Sequence, residues 1–446
     1  MLLRLILKNF LSFDGEMQFD MFPNMKRTLL SNHIYKQHSV PLLKQAAIYG
    51  PNAGGKSNLV KALEFLRAFV INKDFLKNLE IEKFYYLLKN DAKKEPISLS
   101  VEFFAQKQRK YLFYEIEVTT ESIKKECLYE SVPEKGELNL VYKRELKEVN
   151  FSKEVDDKAN EITKMMLAKN PLSSLLSIYD EIPLLSPDPR CKTATKWFKE
   201  NLEIIGIHSF SPLLIDLLRK NEEIMSFVSK LVNKLDIGVS GLNIQETDFD
   251  TWALTHLNMA KKIFNDLDDI KSLSLNESLS LNENNTPVLS IDIENGIKKV
   301  YQLIFNNMGK NGFKGYFEPN MQSDGTLRAL TLLPALYYAC KEAKVVVVDE
   351  INFCLSPTMV KGIVEYFANN NSNGQFIFTT HDIQLLDEES ILRSDEIWFV
   401  DKREGASVLY THNDFKEHHT ISRQKGYNEG RYGAIRFVKL KDYDDQ

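Results

Sequence analysis

The chain has 446 residues, of which 43% are hydrophobic and 27% are charged, and its formal net charge is −5 at pH 7. This length and composition fit a globular protein of one large domain or two to three ordinary ones, and the acidic balance is not that of a typical nucleic-acid-binding protein. No uncharged apolar run approaches the roughly 20 residues of a membrane-spanning helix, so we expect no membrane segment and a cytoplasmic location.

The early part of the chain alternates short apolar segments with polar turns. Its apolar N-terminal stretch is interrupted by Arg4 and Lys8 and has no small-residue cleavage site, which predicts a strand and not a signal peptide. From Ser57 onward, leucine and phenylalanine recur at helical spacing, which predicts a helix. Two later alternating stretches with a polar turn between them predict an antiparallel hairpin. The predicted strands in this part are residues 2–7, 17–19, 45–49, 97–104 and 111–118.

The middle and late parts of the chain differ in pattern. From about Glu130 to Phe264 the sequence predicts helices with charged faces, and residues 272–286, rich in serine, asparagine and leucine, predict a flexible loop. Buried strands and helices alternate after that, which predicts an α/β protein with its ligand at the carboxyl ends of parallel strands. The predicted late elements are strands 288–293, 300–305, 345–348, 375–379 and 396–400 and a helix from about Thr326.

Residues 50–57, GPNAGGKS, satisfy the phosphate-loop pattern G-x-x-x-x-G-K-S. In such a loop the glycines let backbone N–H groups point at phosphate oxygens, the lysine reaches the β- and γ-phosphates, and the following hydroxyl ligates Mg²⁺. We therefore expect Gly50, Gly55 and Lys56 to bind ATP and Ser57 to hold Mg²⁺. The alternative is an ordinary glycine turn before a helix. The predicted buried strand before the loop and the amphipathic helix after it favour the phosphate loop.

The segment KVVVVDE, residues 344–350, contains four consecutive valines, which favour a strand buried on both faces as in a parallel sheet. At the end of that strand, Asp349 is predicted to hold the Mg²⁺ shell through water and Glu350 to polarise the attacking water. The alternative is an apolar strand that merely leaves the core at an acidic residue. The phosphate loop upstream favours the catalytic interpretation.

A third apolar strand ends in Thr379, Thr380 and His381. A lone histidine after a strand is more often incidental, but three buried strands here each end in a residue suited to phosphate or water chemistry, so His381 is predicted to sense or stabilise the γ-phosphate. The segment QSDGTLR opens a helix upstream of these strands. Its Ser323 is either an ordinary N-cap or, with the N–H of Gly325, part of an anion site.

This order of motifs resembles the ABC-type ATPases, and more closely their SMC/RecF/OLD-like branch, whose split head carries an insertion. The opening LILKNFLSF is similar to the first strand and aromatic corner of that branch, and GPNAGGKSNL and SDGT are similar to its Walker A and signature motifs. DEINFCLSP resembles its Walker B motif and D-loop, and the tail GYNEGRYGAI also fits. The resemblance covers residues 1–130 and 286–435. Within that branch, the motifs resemble specifically those of the standalone ATPases of bacterial anti-phage and abortive-infection operons, such as the Rlo- and PARIS-type partners of nucleases.

The resemblance implies an ABC/SMC-head-like P-loop NTPase with an antiparallel β subdomain and a mostly helical insertion. Residues 1–130 would be the N-terminal part of the ATPase head with Walker A, and residues 131–285 the insertion. Residues 286–446 would be the C-terminal part with the signature, Walker B and the switch histidine. The match to the Walker A motif adds Asn52, Gly54 and Asn58 to the predicted ATP-binding residues.

The resemblance also implies homodimers, or higher oligomers, that sandwich two ATP molecules. Ser323 and Gly325 of one subunit would then contact the γ-phosphate bound by Lys56 of the other. Three residues depart from the commonest ABC pattern: Asp324, Asn352 and Ser356. Asp324 stands where the signature usually has a glycine. In the D-loop, Asn352 stands where an acidic residue is usual and Ser356 where a histidine is usual. These departures bear on the hydrolysis rate and on coupling between the two sites, not on ATP binding.

The remaining motifs do not predict a second chemistry. The part of the chain after His381 is too short for the Toprim nuclease domain that OLD-family relatives append, so no nuclease is expected. The four cysteines are far apart, with no CxxC pair, which is typical of a reduced chain without a cysteine metal site. The histidine-rich stretch HNDFKEHH, residues 412–419, has no recognised metal-ligand spacing and is interpreted as a solvated loop.

Three functions follow from these predictions. The favoured one is an ATP-driven switch of a bacterial anti-phage system that controls a separate effector, a nuclease or toxin encoded nearby. The alternative is a RecF/SMC-like DNA-maintenance ATPase that binds duplex DNA across a basic groove; its candidate residues are Lys107, Arg109, Lys110, Arg423, Lys425, Arg431 and Arg436. The least favoured is the ATPase subunit of a membrane transporter.

Overall fold

The computed structural model describes residues 1–36, 38–152, 157–186, 188–207, 214–257, 260, 278–283, 286–294, 297–370, 372–386, 391–415 and 422–436. The chain folds into two compact units. The first unit comprises residues 1–204, 338–352 and 363–446, and the second comprises residues 205–337 and 353–362. Both units are assembled from segments that are distant in sequence.

Four parallel strands lie at the centre of the first unit. They are, in spatial order, Val345–Val348, Gln375–Thr380, Gln45–Tyr49 and Ile397–Arg403. Every residue of the first three is buried, as expected for parallel strands covered on both faces. Two flanking strands complete this six-stranded central sheet: Leu202–Ile205 and Ala406–Thr411. Because the four strands are parallel, the residues that follow Tyr49, Val348 and Thr380 lie at one edge of the sheet.

A seven-stranded antiparallel sheet also belongs to the first unit. The predicted hairpin is confirmed, because Ile97–Ala105 pairs with Lys110–Val118 in antiparallel register. The strand order is Glu148–Phe151, Glu137–Glu145, Ile123–Val132, Lys110–Val118, Ile97–Ala105, Leu2–Lys8 and Met17–Asp20. A short two-stranded pair lies elsewhere in the unit: Ile34–Tyr35 and Leu42–Leu43.

The helix Lys56–Ile71 shares one hydrophobic core with both sheets of the first unit. The apolar residues predicted to share a face of this helix are all buried: Leu59, Leu63, Leu66 and Phe69. The core also contains Leu5 and Leu99 of the antiparallel sheet and Ile48 of the central sheet. Burial of one such side chain stabilises a fold by about 1.5–3 kcal/mol. The start of the helix is therefore held firmly against the central strand that precedes it.

A buried carboxylate ties the antiparallel sheet to the helix Leu175–Glu181. Glu126 accepts hydrogen bonds from the hydroxyls of Tyr114 at 3.0 Å and Tyr142 at 2.9 Å, and from the N–H of Leu175 at 3.0 Å. Arg144 pairs with it at 3.3 Å. A buried charge needs such partners, because desolvating an unpaired ion costs several kcal/mol. Residues beyond 130 therefore pack as part of the first unit.

The prediction of helices alone between Glu130 and Phe264 is wrong in part. The interval does contain the helices Asp157–Lys169, Leu175–Glu181, Pro189–Lys196, Leu214–Lys220, Glu222–Lys234 and Phe249–Thr255. It also contains the strands Glu137–Glu145, Glu148–Phe151, Leu202–Ile205 and Gly241–Asp248. The strand Glu137–Glu145 is rich in charge and is held by pairing with Ile123–Val132, a contact that local pattern does not record. Treating residues 131–285 as an insertion remains a prediction.

The second unit is built on an antiparallel sheet. Its strands are Gly241–Asp248, Ile297–Met308, Thr286–Glu294 and Ser278–Glu283, with Lys314–Phe317 beside Ile297–Met308. The flexible loop predicted for residues 272–286 is thus wrong for 278–283, where leucine alternates with polar residues as in a strand. Residues 272–277, 284 and 285 lie outside the described residues. Phe249 and Trp252 of the helix Phe249–Thr255 pack with residues of this sheet in a small core.

The last three helices are Asp324–Lys341, Pro357–Asn369 and Arg423–Asn428. The first of these begins in the second unit and ends in the first. Within the described part of the chain, no helix is both long enough and apolar enough to cross a membrane.

The four cysteines differ in accessibility, which predicts selective chemistry. All are free thiols, and Cys354 is exposed whereas the other three are buried. Burial raises the pKa of Cys127 and Cys191 to about 12 and also raises that of Cys340. Because the thiolate is the reactive form, we expect iodoacetamide at pH 8 to modify Cys354 first. The three buried thiols should react at least about 100-fold more slowly.

Peptide mass spectrometry of the alkylated protein measures this selectivity. The control is the same treatment in concentrated urea, where all four thiols should react. Rapid native labelling of Cys127 or Cys191 would contradict their buried positions.

Candidate functional site

The phosphate loop connects the central strand Gln45–Tyr49 to the helix Lys56–Ile71. Its backbone is tightly turned, since the Gly54 N–H donates to the Pro51 carbonyl at 3.0 Å and Gly55 has φ +120°. A Cβ at Gly50 would collide with the carbonyl oxygen of Val400, and one at Gly54 would lie 3.1 Å from the same oxygen. These glycines are therefore required by packing against a neighbouring strand as well as by the approach of a phosphate.

Lys56 is the first residue of the helix and its side chain is buried. Its ammonium donates to the carbonyls of Gly50 at 2.8 Å and Pro51 at 3.2 Å, and lies 3.2 Å from Nδ1 of His381. Burial lowers the pKa of Lys56, and the nearby carboxylates of Glu350 and Asp349 oppose that shift. A buried cation at a helix N-terminus, among backbone N–H groups, is suited to an anion of high charge.

The two acidic residues follow the central strand Val345–Val348 directly. Asp349 is buried, and its Oδ1 accepts a hydrogen bond from the Thr379 hydroxyl at 2.6 Å. Glu350 has φ +48°, a left-handed backbone that costs a residue with a side chain on the order of 1 kcal/mol or more. Its N–H donates to the same hydroxyl of Thr379 at 2.7 Å. Such a strained conformation persists only where surrounding contacts enforce it, and it is typical of functional sites.

His381 joins the two parts of the site. Its Nε2 lies 3.3 Å from Oε1 of Glu350, and its Nδ1 lies 3.2 Å from the ammonium of Lys56. The side-chain oxygen of Asn352 accepts from the Thr380 hydroxyl at 2.9 Å and from the N–H of His381 at 3.3 Å. Asn352, noted in the sequence as a departure from the usual D-loop, thus holds the backbone from which the histidine projects.

Two serines near the loop were not identified from the sequence. The Ser407 hydroxyl donates to the Gly54 carbonyl at 2.6 Å, and its oxygen lies 2.7 Å from the oxygen of the Ser12 hydroxyl. Asn58, a predicted ATP-binding residue, donates its amide to the Ser12 hydroxyl at 2.8 Å. These contacts fix the loop from outside the phosphate face. No local motif predicts the contact of Ser407, because the fold brings Ser407 to Gly54 from 353 residues further along the chain.

The signature residues belong to the second unit, and the Walker A and B residues belong to the first. The Ser323 hydroxyl accepts the N–H of Thr326 at 3.2 Å, so it caps the helix Asp324–Lys341. A Cβ at Gly325 would lie 2.7 Å from the carbonyl oxygen of Cys354, so this glycine has a local packing reason as well. Ser323 is exposed and Gly325 half-buried. Their contact with a nucleotide stays a prediction.

The residues of the first unit fit ATP and Mg²⁺. A tight loop in which Gly50 and Gly55 leave no room for a Cβ, a buried lysine and a helix N-terminus form a cradle for phosphates. The half-buried Ser57 hydroxyl and the Asp349 carboxylate are oxygen donors, and few protein ligands are usual where phosphates complete a Mg²⁺ shell. Among the described residues there is no cluster of three histidine, cysteine or acidic side chains that could hold a metal ion. Of the predicted loop residues, Asn52 is exposed and Gly54 is buried.

The phosphate loop, the parallel strands and the antiparallel sheet together confirm the mixed α/β class that the sequence predicted. The likeness to an ABC/SMC head remains an expectation from the sequence motifs. The sequence model of one protein family matches residues 46–387 of the chain. That family is described as "AAA domain, putative AbiEii toxin, Type IV TA system". No curated protein matches the chain significantly.

Solved structures similar to the chain include three SMC heads. One is the SMC head bound to the C-winged helix domain of ScpA, with 14% identity, 92% of this chain and 97% of that chain covered, and a TM-score of 0.47. The SMC head domain from Thermotoga maritima has 12% identity, coverage of 92% and 98%, and a TM-score of 0.40. The SMC head with an extended coiled coil bound to the C-terminal domain of ScpA, from Pyrococcus furiosus, has 13% identity, coverage of 97% and 98%, and a TM-score of 0.41.

Proposed function

The chain belongs to the AAA-domain family whose sequence model matches residues 46–387, and on that basis we propose that it is an ATP-binding and ATP-hydrolysing molecular switch of a bacterial anti-phage or toxin–antitoxin-like system. The switch controls a separate effector, a nuclease or toxin encoded nearby. The observation that supports the ATPase most directly is the line of contacts from Lys56 through His381 to Glu350. It connects the residue suited to bind a γ-phosphate with the residue suited to activate water.

The proposed reaction assigns a task to each residue of the first unit. Backbone N–H groups of the loop and the Lys56 ammonium bind the phosphates, and Glu350 accepts the proton of the attacking water. His381 stabilises charge on the γ-phosphate. Ser57 and Asp349 hold Mg²⁺, which when bound neutralises charge on the phosphates. The buried setting of Lys56 and Asp349 strengthens these electrostatic interactions.

The contacts of Lys56 suggest how ATP binding becomes a signal. Its ammonium is bonded to two loop carbonyls and lies beside His381. An ammonium has only three donors, so phosphate oxygens compete with these partners. Binding of ATP then frees His381 and, through Asn352, alters the turn that follows Glu350. The output of the protein in this proposal is a conformational change and not a second chemical reaction.

The proposed assembly is a homodimer or higher oligomer in which Ser323 and Gly325 of a second copy complete each ATP site. Two observations support it. The signature residues lie in a different unit from Lys56, and Ser323 is exposed at the N-terminus of a helix of 18 residues. A helix N-terminus attracts anions, which favours contact with a phosphate.

Phage challenge tests the biological role. Cells carrying the gene with its neighbouring genes should resist phage infection, and Glu350→Gln or deletion of the adjacent effector gene should remove that resistance. Equal plaque counts for the wild-type operon and an empty vector, over a broad phage panel, would reject the defence proposal while leaving the ATPase intact.

The alternative DNA-maintenance function has less support in the structure. Four of its candidate basic residues are engaged: Lys110 pairs with Glu130, Arg423 donates to the Leu392 carbonyl, Arg431 pairs with Glu429, and Arg436 pairs with Asp401. DNA-binding assays over a salt series with ATP decide between the functions. Binding of duplex DNA that weakens steeply with salt would favour the alternative.

A further inference from the structure

Thr379 contacts both acidic residues of the site with a single hydroxyl group. Its hydrogen is donated to Oδ1 of Asp349 at 2.6 Å, and its oxygen accepts the N–H of Glu350 at 2.7 Å. The backbone carbonyl of Thr379 accepts the N–H of Ile351 at 3.0 Å. Thr379 thus forms hydrogen bonds with Asp349, Glu350 and Ile351, the three residues that follow the strand Val345–Val348.

The location of Thr379 makes these contacts rigid. It lies in the strand Gln375–Thr380, where it is fully buried and opposite Ile48 in the parallel register. Threonine is restricted about χ1 because its Cβ is branched, so its hydroxyl has a narrow range of directions. Water does not reach the group to replace a lost partner, and an unsatisfied buried donor or acceptor is costly.

The backbone of Glu350 needs such a support. Its φ of +48° lies in the left-handed region, which residues other than glycine seldom adopt. The N–H of Glu350 would be left without its hydroxyl acceptor if Thr379 lost its oxygen, and the carboxylate of Asp349 would lose the donor that orients it. Only a side chain that can donate and accept at one atom satisfies both groups.

We propose that Thr379 is a positioning residue: its hydroxyl orients Asp349 toward Mg²⁺ and holds Glu350 in the strained turn that aims its carboxylate at the attacking water. This inference rests on the proposed ATPase function. In this proposal Thr379 acts through the carboxylate of Asp349 and the backbone of Glu350.

The test compares Thr379→Val, which keeps the shape and removes the hydroxyl, with Thr379→Ser, which keeps the hydroxyl. Thr195→Val is the matched control, since Thr195 is a buried threonine whose hydroxyl donates only to a carbonyl of its own helix, that of Cys191 at 3.2 Å. Thr379→Val should lower kcat by about tenfold or more, because hydrogen bonds to charged groups are strong ones. Thr379→Ser and the control should stay within about threefold of wild type.

A second measurement does not require hydrolysis. The Kd of ATP is measured by calorimetry with Mg²⁺ and with EDTA, and the ratio of the two values reports how well Asp349 serves the metal. In Thr379→Val the Kd of ATP in EDTA should equal that of the wild type. The ratio of the Kd in EDTA to the Kd with Mg²⁺ should be about tenfold smaller than in the wild type. Unchanged kcat and an unchanged Mg²⁺ gain in Thr379→Val would overturn the positioning role, as would equal losses in Thr379→Ser and Thr379→Val.

The outcomes separate this inference from the proposed function. If the wild-type protein binds ATP without hydrolysing it, the proposed ATPase activity is wrong. The increase in ATP affinity caused by Mg²⁺, compared between wild type and Thr379→Val, still decides whether Thr379 positions Asp349. A wild-type protein that binds no ATP at all overturns both. Equal losses of activity and of folding stability in Thr195→Val and Thr379→Val would mean that the hydroxyl is merely structural.

Discussion

Replacing Lys56 by alanine is expected to weaken ATP binding roughly 100-fold or more. The ammonium is the only buried cation for which hydrogen bonds to the phosphate loop are seen among the described residues. Hydrogen bonds to charged groups contribute about 1.5–3 kcal/mol each, and two of them correspond to two or more powers of ten in Kd. Calorimetry or a fluorescent ATP analogue measures the change.

Lys61→Ala is the matched control for this variant. Lys61 lies on the same helix, five residues further on, and is exposed. The control should bind ATP as the wild type does. Both variants should unfold cooperatively, which separates lost binding from lost structure. Wild-type affinity in Lys56→Ala would mean that residues 50–57 form an ordinary glycine turn, and the proposed function would fail.

Replacing Glu350 by glutamine is expected to keep ATP binding and to lower kcat by about 100-fold or more, because general-base catalysis contributes about 10²–10⁴-fold. Glutamine has nearly the same size, and the N–H bond to Thr379 does not depend on the side chain. Its neutral amide cannot accept the proton of water. Without hydrolysis, the ATP-bound form should accumulate as a dimer, measured by light scattering at micromolar protein.

Glu342→Gln is the control for the loss of charge. Glu342 is exposed, pairs with Lys344 at 3.6 Å, and precedes the amino end of the same strand, whereas Glu350 follows its carboxyl end. It should hydrolyse ATP normally. If Glu350→Gln binds ATP and remains monomeric, the sandwich assembly is wrong. Normal turnover in Glu350→Gln would assign the general base to another residue.

Sequence pattern predicted the central elements of the first unit closely. The strand predicted at residues 45–49 is Gln45–Tyr49, the valine strand is Val345–Val348, and the helix predicted from Ser57 begins one residue earlier. These segments are strongly apolar or strongly periodic, so their local pattern and their buried positions agree. The strand Glu137–Glu145, which was missed, is rich in charge, and pairing with Ile123–Val132 holds it in the sheet.

The candidate site was predictable to a similar degree. Lys56, Asp349, Glu350 and His381 were named from strand ends and a glycine pattern, and parallel pairing places them at one edge of the central sheet. The supporting residues were not predictable. Ser407 occurs in a segment without a motif, Ser12 lies in the stretch LILKNFLSF without a predicted role, and Thr379 gave no sign of its double hydrogen bond.

The amino-acid sequence by itself determined the phosphate loop, the order of the motifs and the strand ends that carry them, because each depends on residues close together in the chain. Only the tertiary structure decided how those residues are held. Pairing between strands brings Thr379 to Asp349 across 30 residues and Ser407 to Gly54 across 353 residues, and it places His381 between Lys56 and Glu350. Hydrogen bonds of this kind depend on distances between strands, and no local pattern encodes those distances.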